Sequence, residues 1–220
     1  MKKIRYSEIT PERIYRNRRN FIKSMSLGAG SVALSSIPFI NNARSDEENK
    51  LTSYKDITTY NNYYEFGTSK KDPYKNSQNF KTSPWNITVE GEVENPISLS
   101  MEEISEMFVS EERVYRLRCV EGWSMVIPWM GFSLNQLLSK VTFTSKAKFV
   151  EFESVYDPEQ MRGQKYPVLK WPYKEGLRID EAMHPLTTVV TGLYNKKLPN
   201  QNGAPLRIFL PWKYGFKSAK

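Results

Sequence analysis

The sequence predicts an α+β domain with a mixed or mainly antiparallel β core and only short helices. Stretches in which apolar and polar residues alternate recur along the chain, the pattern of half-buried strands. Helix-start signals are few and precede short apolar sets, and 13 prolines and 11 glycines punctuate the connections. There is no internal repeat and no low-complexity tract. At 220 residues, with 39% hydrophobic and 13% aromatic residues, the chain can build one sizeable core.

The ordered domain is expected to start near residue 57, after a polar linker over 44–56 ("RSDEENKLTSYKD"). "ITTYNNYYEFG" has the N-N and F-G punctuation of a loop, and its aromatic residues suit a loop that packs onto something. "WNITVEGEV" places Trp85, Ile87 and Val89 on one face of a strand. In "LSMEEISEMF", Ser100 followed three residues later by Glu103 predicts a capping box and a helix. "RVYRLRCVE" alternates again and reads as a strand. Ser133 and Gln136 repeat the capping pattern before Leu134, Leu137 and Leu138. "KFVEFESVY" is a strand, Asp180 is placed to cap the short helix "EAM", and "APLRIFLPW" is a strand bounded by prolines.

The formal net charge of +8 first suggests nucleic acid. Residues 1–43 hold eight Lys/Arg against two acids, a net of +6, which leaves +2 for the rest. No basic stripe remains to track phosphates, so no nucleic-acid partner is expected. The charge belongs to the N-terminal segment. There Arg18 and Arg19 precede Asn20, Phe21, Ile22 and Lys23, and a weakly apolar run from Met25 to Ile40 follows. Residues 1–43 read as a twin-arginine export signal, which implies a periplasmic location for a protein exported already folded. Cysteines in such an oxidising compartment are normally paired, yet Cys119 is the only one in the chain.

Several chemistries are excluded. No H-E-x-x-H and no C-x-x-C offers a zinc site. No phosphate-cradling G-x-x-x-x-G-K-[ST] or G-x-G-x-x-G loop is present. Gly122-Trp123-Ser124 lacks the second glycine of a nucleophile elbow. His184, the only histidine, lies in "MHPL" and reads as a structural turn residue. For Cys119, a buried core thiol and a functional one are both open. Strand alternation sends Arg116 and Arg118 to the face opposite Cys119 and puts Glu121 on the cysteine's own face. One soft thiolate cannot hold a bare metal, so any metal at Cys119 must bring most of its own ligands.

The motifs "RVYRLRCVEGWSMVIPWMGFSL", "YNNYYEFG", "VYDPEQM", "EGLRIDEAMHPLT" and "QNGAPLRIFLPWKYGFKSAK" closely resemble the sulfite-oxidase-fold molybdopterin oxidoreductases, from about Tyr54 to Lys220. The resemblance implies the molybdopterin-binding fold of that family over 57–220. It implies molybdenum on one pyranopterin dithiolene, with Cys119 as the metal's protein ligand. It places the pterin and its phosphate against Asn61, Tyr64, Glu65, Ser154, Asn202, Arg207, Ser218, Ala219 and Lys220. Asparagine and tyrosine suit a heterocycle rich in donors and acceptors, and Arg207 and Lys220 suit a phosphate. Ser154 keeps the hydroxyl of a threonine common at that place, and "KSAK" replaces a more glycine-containing segment. Relatives continue past the lysine matching Lys220, which reads as a C-terminally truncated domain.

The activity implied is molybdenum-dependent reduction of methionine sulfoxide in oxidised periplasmic proteins. Glu121 is a second catalytic candidate near the metal's open side. The implied electron donor is a membrane haem-binding subunit. The alternatives are a same-fold enzyme for sulfite or small S- or N-oxides, and an inactive fragment.

Overall fold

The computed structural model describes residues 50–213 and 215–220. The twin-arginine segment and residues 44–49 of the expected linker lie outside them. Residues 54–56, the end of that linker, are helical. Helix α1 (Tyr54–Thr59) is capped by Ser53, whose hydroxyl accepts from the Asp56 amide at 3.1 Å. This S-x-x-D pattern is itself a helix-start signal. Just before it, the Thr52 amide donates to the Val126 carbonyl at 3.0 Å and ties the segment to the sheet.

A 3-10 turn (Tyr64–Phe66) and α2 (Asp72–Asn76) follow. Strands β1 (Asn86–Val89) and β2 (Ile97–Ser100) form a hairpin. Helix α3 (Met101–Met107) has the expected capping box, with both the Ser100 and the Glu103 hydrogen bonds made. A five-stranded sheet then assembles from β3 (Glu111–Arg118), β4 (Ser124–Ser133), β7 (Thr188–Leu193), β8 (Lys196–Lys197) and β9 (Arg207–Phe209). Strand β4 runs between β3 and β7, and β9 pairs with β7. A separate pair joins β5 (Phe149–Glu153) to β6 (Lys174–Arg178). All strand pairs among the described residues are antiparallel.

Alternation sorts the sheet's side chains into two cores. Leu117, Ile127, Trp129, Val190 and Phe209 face one way. Phe132, Val189 and Ile208 face the other and pack on helices α3 and α4 (Leu134–Leu138) through Ile104, Leu134 and Leu138. Strand β4 is buried on both faces over most of its length, so "SMVIPWMGFS" has no alternation to read. Pro128 is tolerated there because the β7 ladder starts only at Trp129, opposite Leu193. Gly131 sits at the register shift between β4 and β7, where any side chain would overlap the Val189 carbonyl.

Two helix starts differ from expectation. Helix α4 begins after Ser133, but the Ser133 hydroxyl donates to the Pro185 carbonyl, so no capping box forms. Helix α5 (Ile179–Ala182) starts after Arg178, and Asp180 pairs with the Arg178 guanidinium at 2.6 Å rather than capping. In each case another bond takes the capping side chain: Ser133 a tertiary carbonyl, Asp180 a guanidinium two residues away. His184 behaves as a turn residue: its Nδ1 accepts from the Leu186 amide at 3.1 Å, and its ring meets Trp212 edge-on.

Candidate functional site

Strands β3 and β4 are joined by the turn 119–123, and Cys119 is its first residue. The Cys119 amide donates to the Trp123 carbonyl at 2.9 Å, and the Gly122 amide to the Cys119 carbonyl at 3.0 Å. Gly122 adopts φ +81°, a left-handed conformation that suits glycine. Alternation in β3 holds as read: Leu117 and Cys119 are buried and Arg118 is exposed. Glu121 is not in the strand, which ends at Arg118, but the turn still brings it to Tyr64.

Cys119 is a free, buried thiol. Asn62 Nδ2 donates to its Sγ at 3.6 Å. The segment 57–67 thus lies against the cysteine turn, and its buried aromatics, Tyr63 and Phe66, pack with Phe80 and Met161. Asn61, next door, is consumed locally. Its Nδ2 donates to the Ile57 carbonyl at 3.3 Å, and its Oδ1 accepts from Asn202 Nδ2 at 3.3 Å. A 3-10 turn over Arg162–Lys165 supports the same segment from below. A methyl group on Gly163 would overlap the Tyr64 carbonyl oxygen. Gly163→Ala is therefore expected to cost about 1–3 kcal/mol of overpacking, read as a lower melting temperature together with a loss of bound cofactor.

Beyond this segment lies a buried cluster of cations. Arg207 is fully buried between aromatic rings, 5.2 Å from the Trp129 centroid, 5.6 Å from Tyr63 and 5.7 Å from Phe216. Its Nη1 donates to the Asn202 carbonyl at 3.4 Å. Lys220 Nζ lies 3.8 Å from the Phe80 centroid. Its backbone is held by the Ser154 hydroxyl, which accepts from the Lys220 amide at 3.1 Å. Lys217 pairs with the buried carboxylate of Glu65 at 2.5 Å. Glu175 Oε2 accepts from the Ser218 hydroxyl at 2.8 Å and the Ala219 amide at 3.1 Å. The structure thus gathers the sequence-derived residues into one region. Ser154, Ser218 and Ala219 are occupied in holding the 217–220 segment.

Polar atoms left over mark where a ligand fits. Asn62 Oδ1, Glu65 Oε2, Asn202 Oδ1, Arg207 Nη2 and Lys220 Nζ are buried with no partner among the described residues. Each orphaned group costs about 1–3 kcal/mol if nothing meets it. The set joins carbonyl and carboxylate acceptors to two cationic donors. A heterocycle with N–H donors and a phosphate tail satisfies both halves, so these residues fit the group that the sequence implies. No group of three or more His, Cys, Asp or Glu side chains comes together among the described residues. A metal bound at Cys119 would accordingly carry its own further ligands.

The electrostatics follow from burial. Desolvation pushes the Lys220 ammonium down to about 7; Glu65 opposes the shift and Lys217 adds to it. Lys217 is also pulled down by burial, with Glu65 countering. Burial raises the Tyr63 hydroxyl well above its ordinary range. At neutral pH the cofactor-free protein thus holds Lys220 only partly charged, and an anion beside it restores the charge. Between the folded and the unfolded pKa of Lys220 the unfolded chain binds more protons, so stability rises with pH. The melting temperature of the cofactor-free chain is expected to climb from about pH 7 toward pH 10. Lys220 contributes up to about 1.4 kcal/mol per pH unit, and Lys220→Met removes that contribution.

In the 119–123 turn, Glu121 Oε1 accepts from Lys70 Nζ at 2.6 Å and from the Tyr64 hydroxyl at 3.1 Å. The bond from Lys70 holds the Glu121 carboxyl below the usual carboxylate range. Burial pulls the Lys70 ammonium down, but its bonds to Glu121 and Tyr64 outweigh that and leave it raised. Sequence reasoning missed Asn62, Lys70 and Lys217. Only Lys217 carried any signal, as the first basic residue of "KSAK".

Comparison with known proteins bears on the same residues. The family model described as "Oxidoreductase molybdopterin binding domain" matches residues 74–220. A protein-methionine-sulfoxide reductase catalytic subunit, MsrP, of Xanthomonas axonopodis pv. citri is 52% identical over 229 residues, which cover 97% of this chain and 70% of that protein. The protein of the same name from Burkholderia mallei is 48% identical over 231 residues with the same coverage. Among solved structures, the sulfane dehydrogenase SoxCD of Paracoccus pantotrophus superposes with a TM-score of 0.54 at 11% identity. That match covers 98% of this chain and 56% of the SoxCD chain, and it supports the fold alone.

Proposed function

Since this chain belongs to the molybdopterin-binding oxidoreductases, we propose that it removes oxygen from methionine sulfoxide in proteins, with Cys119 as the metal's protein ligand. The observation that carries this reading is identity of about one half to methionine-sulfoxide reductase subunits along 97% of the chain. Bound molybdopterin supplies the oxygen-atom transfer: with two electrons and two protons, a sulfoxide becomes a thioether and water.

The chain's own residues bind and orient. The 119–123 turn fixes the direction of Cys119 Sγ, and Asn62 donates a hydrogen bond that helps to hold the sulfur in place. Glu65 Oε2 and Asn202 Oδ1 are the acceptors for the pterin's N–H groups, and Arg207 and Lys220 are the donors for its phosphate. Lys217 neutralises Glu65, so that a buried carboxylate does not repel that phosphate. Buried aromatic rings around Arg207 exclude water from this end of the site. Glu121, partly exposed in the cysteine turn, and its partner Tyr64 are the groups offered to an incoming side chain.

Export through the twin-arginine route to the periplasm is supported by Arg18-Arg19 and the run that follows. A partner subunit is supported by the words "catalytic subunit" in the relatives' name, and the family resemblance makes that partner a haem-binding membrane protein that donates electrons. Among the described residues no helix is long and apolar enough to cross a membrane. Replacing both arginines with lysine and fractionating the cells tests export, since cytoplasmic retention is expected. For the activity, the molybdenum-loaded protein is supplied with an artificial reductant and offered a methionine-sulfoxide protein, a small sulfoxide and, in the oxidative direction, sulfite. Turnover of the oxidised protein at the highest kcat/KM is expected; preferential sulfite oxidation would overturn the assignment.

A further inference from the structure

Lys70 belongs to none of the groups assigned above, yet it joins two of them. Its Nζ donates to Glu121 Oε1 at 2.6 Å and to the Tyr64 hydroxyl at 3.2 Å, and the Tyr64 hydroxyl reaches the same Glu121 oxygen at 3.1 Å. The ammonium also lies 5.1 Å from the Tyr64 ring centroid. Its backbone is fixed too: the Lys70 carbonyl accepts from the Asn61 amide at 2.9 Å, and Asp72 anchors the adjoining Ser69 amide at 2.9 Å. One residue therefore ties the 61–64 segment to the turn that starts at Cys119.

The pair is half-open, with the Lys70 and Glu121 side chains 36% and 22% exposed. An ion pair so placed adds about 0–1 kcal/mol to stability, which does not account for two donors converging on one carboxylate oxygen. A lone, partly exposed carboxylate would swing among rotamers, and a lone tyrosine hydroxyl would have no fixed direction. The ammonium removes both freedoms.

We propose that Lys70 is a positioning residue, which locks Glu121 and Tyr64 into one rigid unit beside Cys119 in the 119–123 turn and so orients the arriving sulfoxide. This rests on the reading that the chemistry takes place at Cys119. A sulfoxide is neutral but strongly dipolar, so its productive pose depends on the direction of nearby charges and donors more than on net charge.

The test uses the molybdenum-loaded protein with methionine sulfoxide. Lys70→Met is expected to lower kcat/KM about 10–100-fold, the range for losing a group that orients another. Molybdenum content and melting temperature should stay at the level of the unaltered protein, while the Mo(V) electron paramagnetic resonance signal shifts. Lys70→Arg should recover part of the loss. Glu121→Gln alone should cost a similar factor, and the double variant should cost little more than either, because both changes break one unit. Unaltered kinetics in Lys70→Met, or losses that simply multiply in the double variant, would overturn the proposal. So would a fall in molybdenum content that matches the fall in activity, which would place Lys70 in cofactor retention. If the unaltered protein holds no molybdenum, the functional reading itself fails, which is a different result from any of these.

Discussion

Replacement of Cys119 by serine is expected to abolish sulfoxide reduction while the fold survives. The thiol is buried at the end of β3 and packed with Leu117, Met125 and Phe216, and serine is smaller, so the site loses little packing. It loses the soft ligand, and a serine hydroxyl does not replace a thiolate toward molybdenum. The fall in activity should exceed the roughly 10–100-fold cost of removing a group that only supports a metal ligand. Asn62→Ala, which removes the donor at 3.6 Å from Sγ, should fall within that range. Steady-state kinetics alongside molybdenum analysis separate the two variants. Comparable losses from both would mean that Cys119 is a supporting residue.

The second large effect concerns retention of the cofactor. Arg207 is fully buried, donates to the Asn202 and Ile208 carbonyls at 3.4 and 3.5 Å, and leaves Nη2 unpartnered among the described residues. A guanidinium is costly to keep there unless an anion meets it, and phosphate matches its fork. Arg207→Met preserves much of the volume between Trp129, Tyr63 and Phe216 and removes the charge. Molybdenum content after purification is expected to fall at least about tenfold, corresponding to about 1.4 kcal/mol or more of lost binding. Arg207→Lys should recover only part, because an ammonium offers a point charge in place of the fork. Lys220→Met should lose less, since Lys220 is only partly charged at neutral pH before the anion arrives. Full molybdenum content in Arg207→Met would remove the phosphate from this end of the site.

How much of this could be read in the sequence depended on whether the signal was local. The α3 capping box was legible because its bonds join residues three apart. Strands β1 and β5 were legible because one face of each is wet. Strand β4 was not, since burial on both sides erases the alternation. Strand β7 was missed in the same way, with five of its six residues buried. Cys119 stood out as the single thiol of the chain, and Arg207 and Glu65 were found by resemblance rather than by pattern. Lys70 was invisible, and Lys217 showed only as part of "KSAK". Each looks like an ordinary surface lysine until the fold brings it to a carboxylate 51 or 152 positions away. Glu121 was placed by strand alternation, but β3 ends at Arg118, and it is the turn that brings Glu121 to Tyr64 and Lys70.

X-ray absorption at the molybdenum edge tests the central claim, that one protein thiolate completes a metal which brings its own sulfurs. For the purified oxidised protein the account predicts a sulfur shell made of the two dithiolene sulfurs and one more from Cys119, reduced to the dithiolene pair in Cys119→Ser. A sulfur shell that is identical in the two proteins would contradict it.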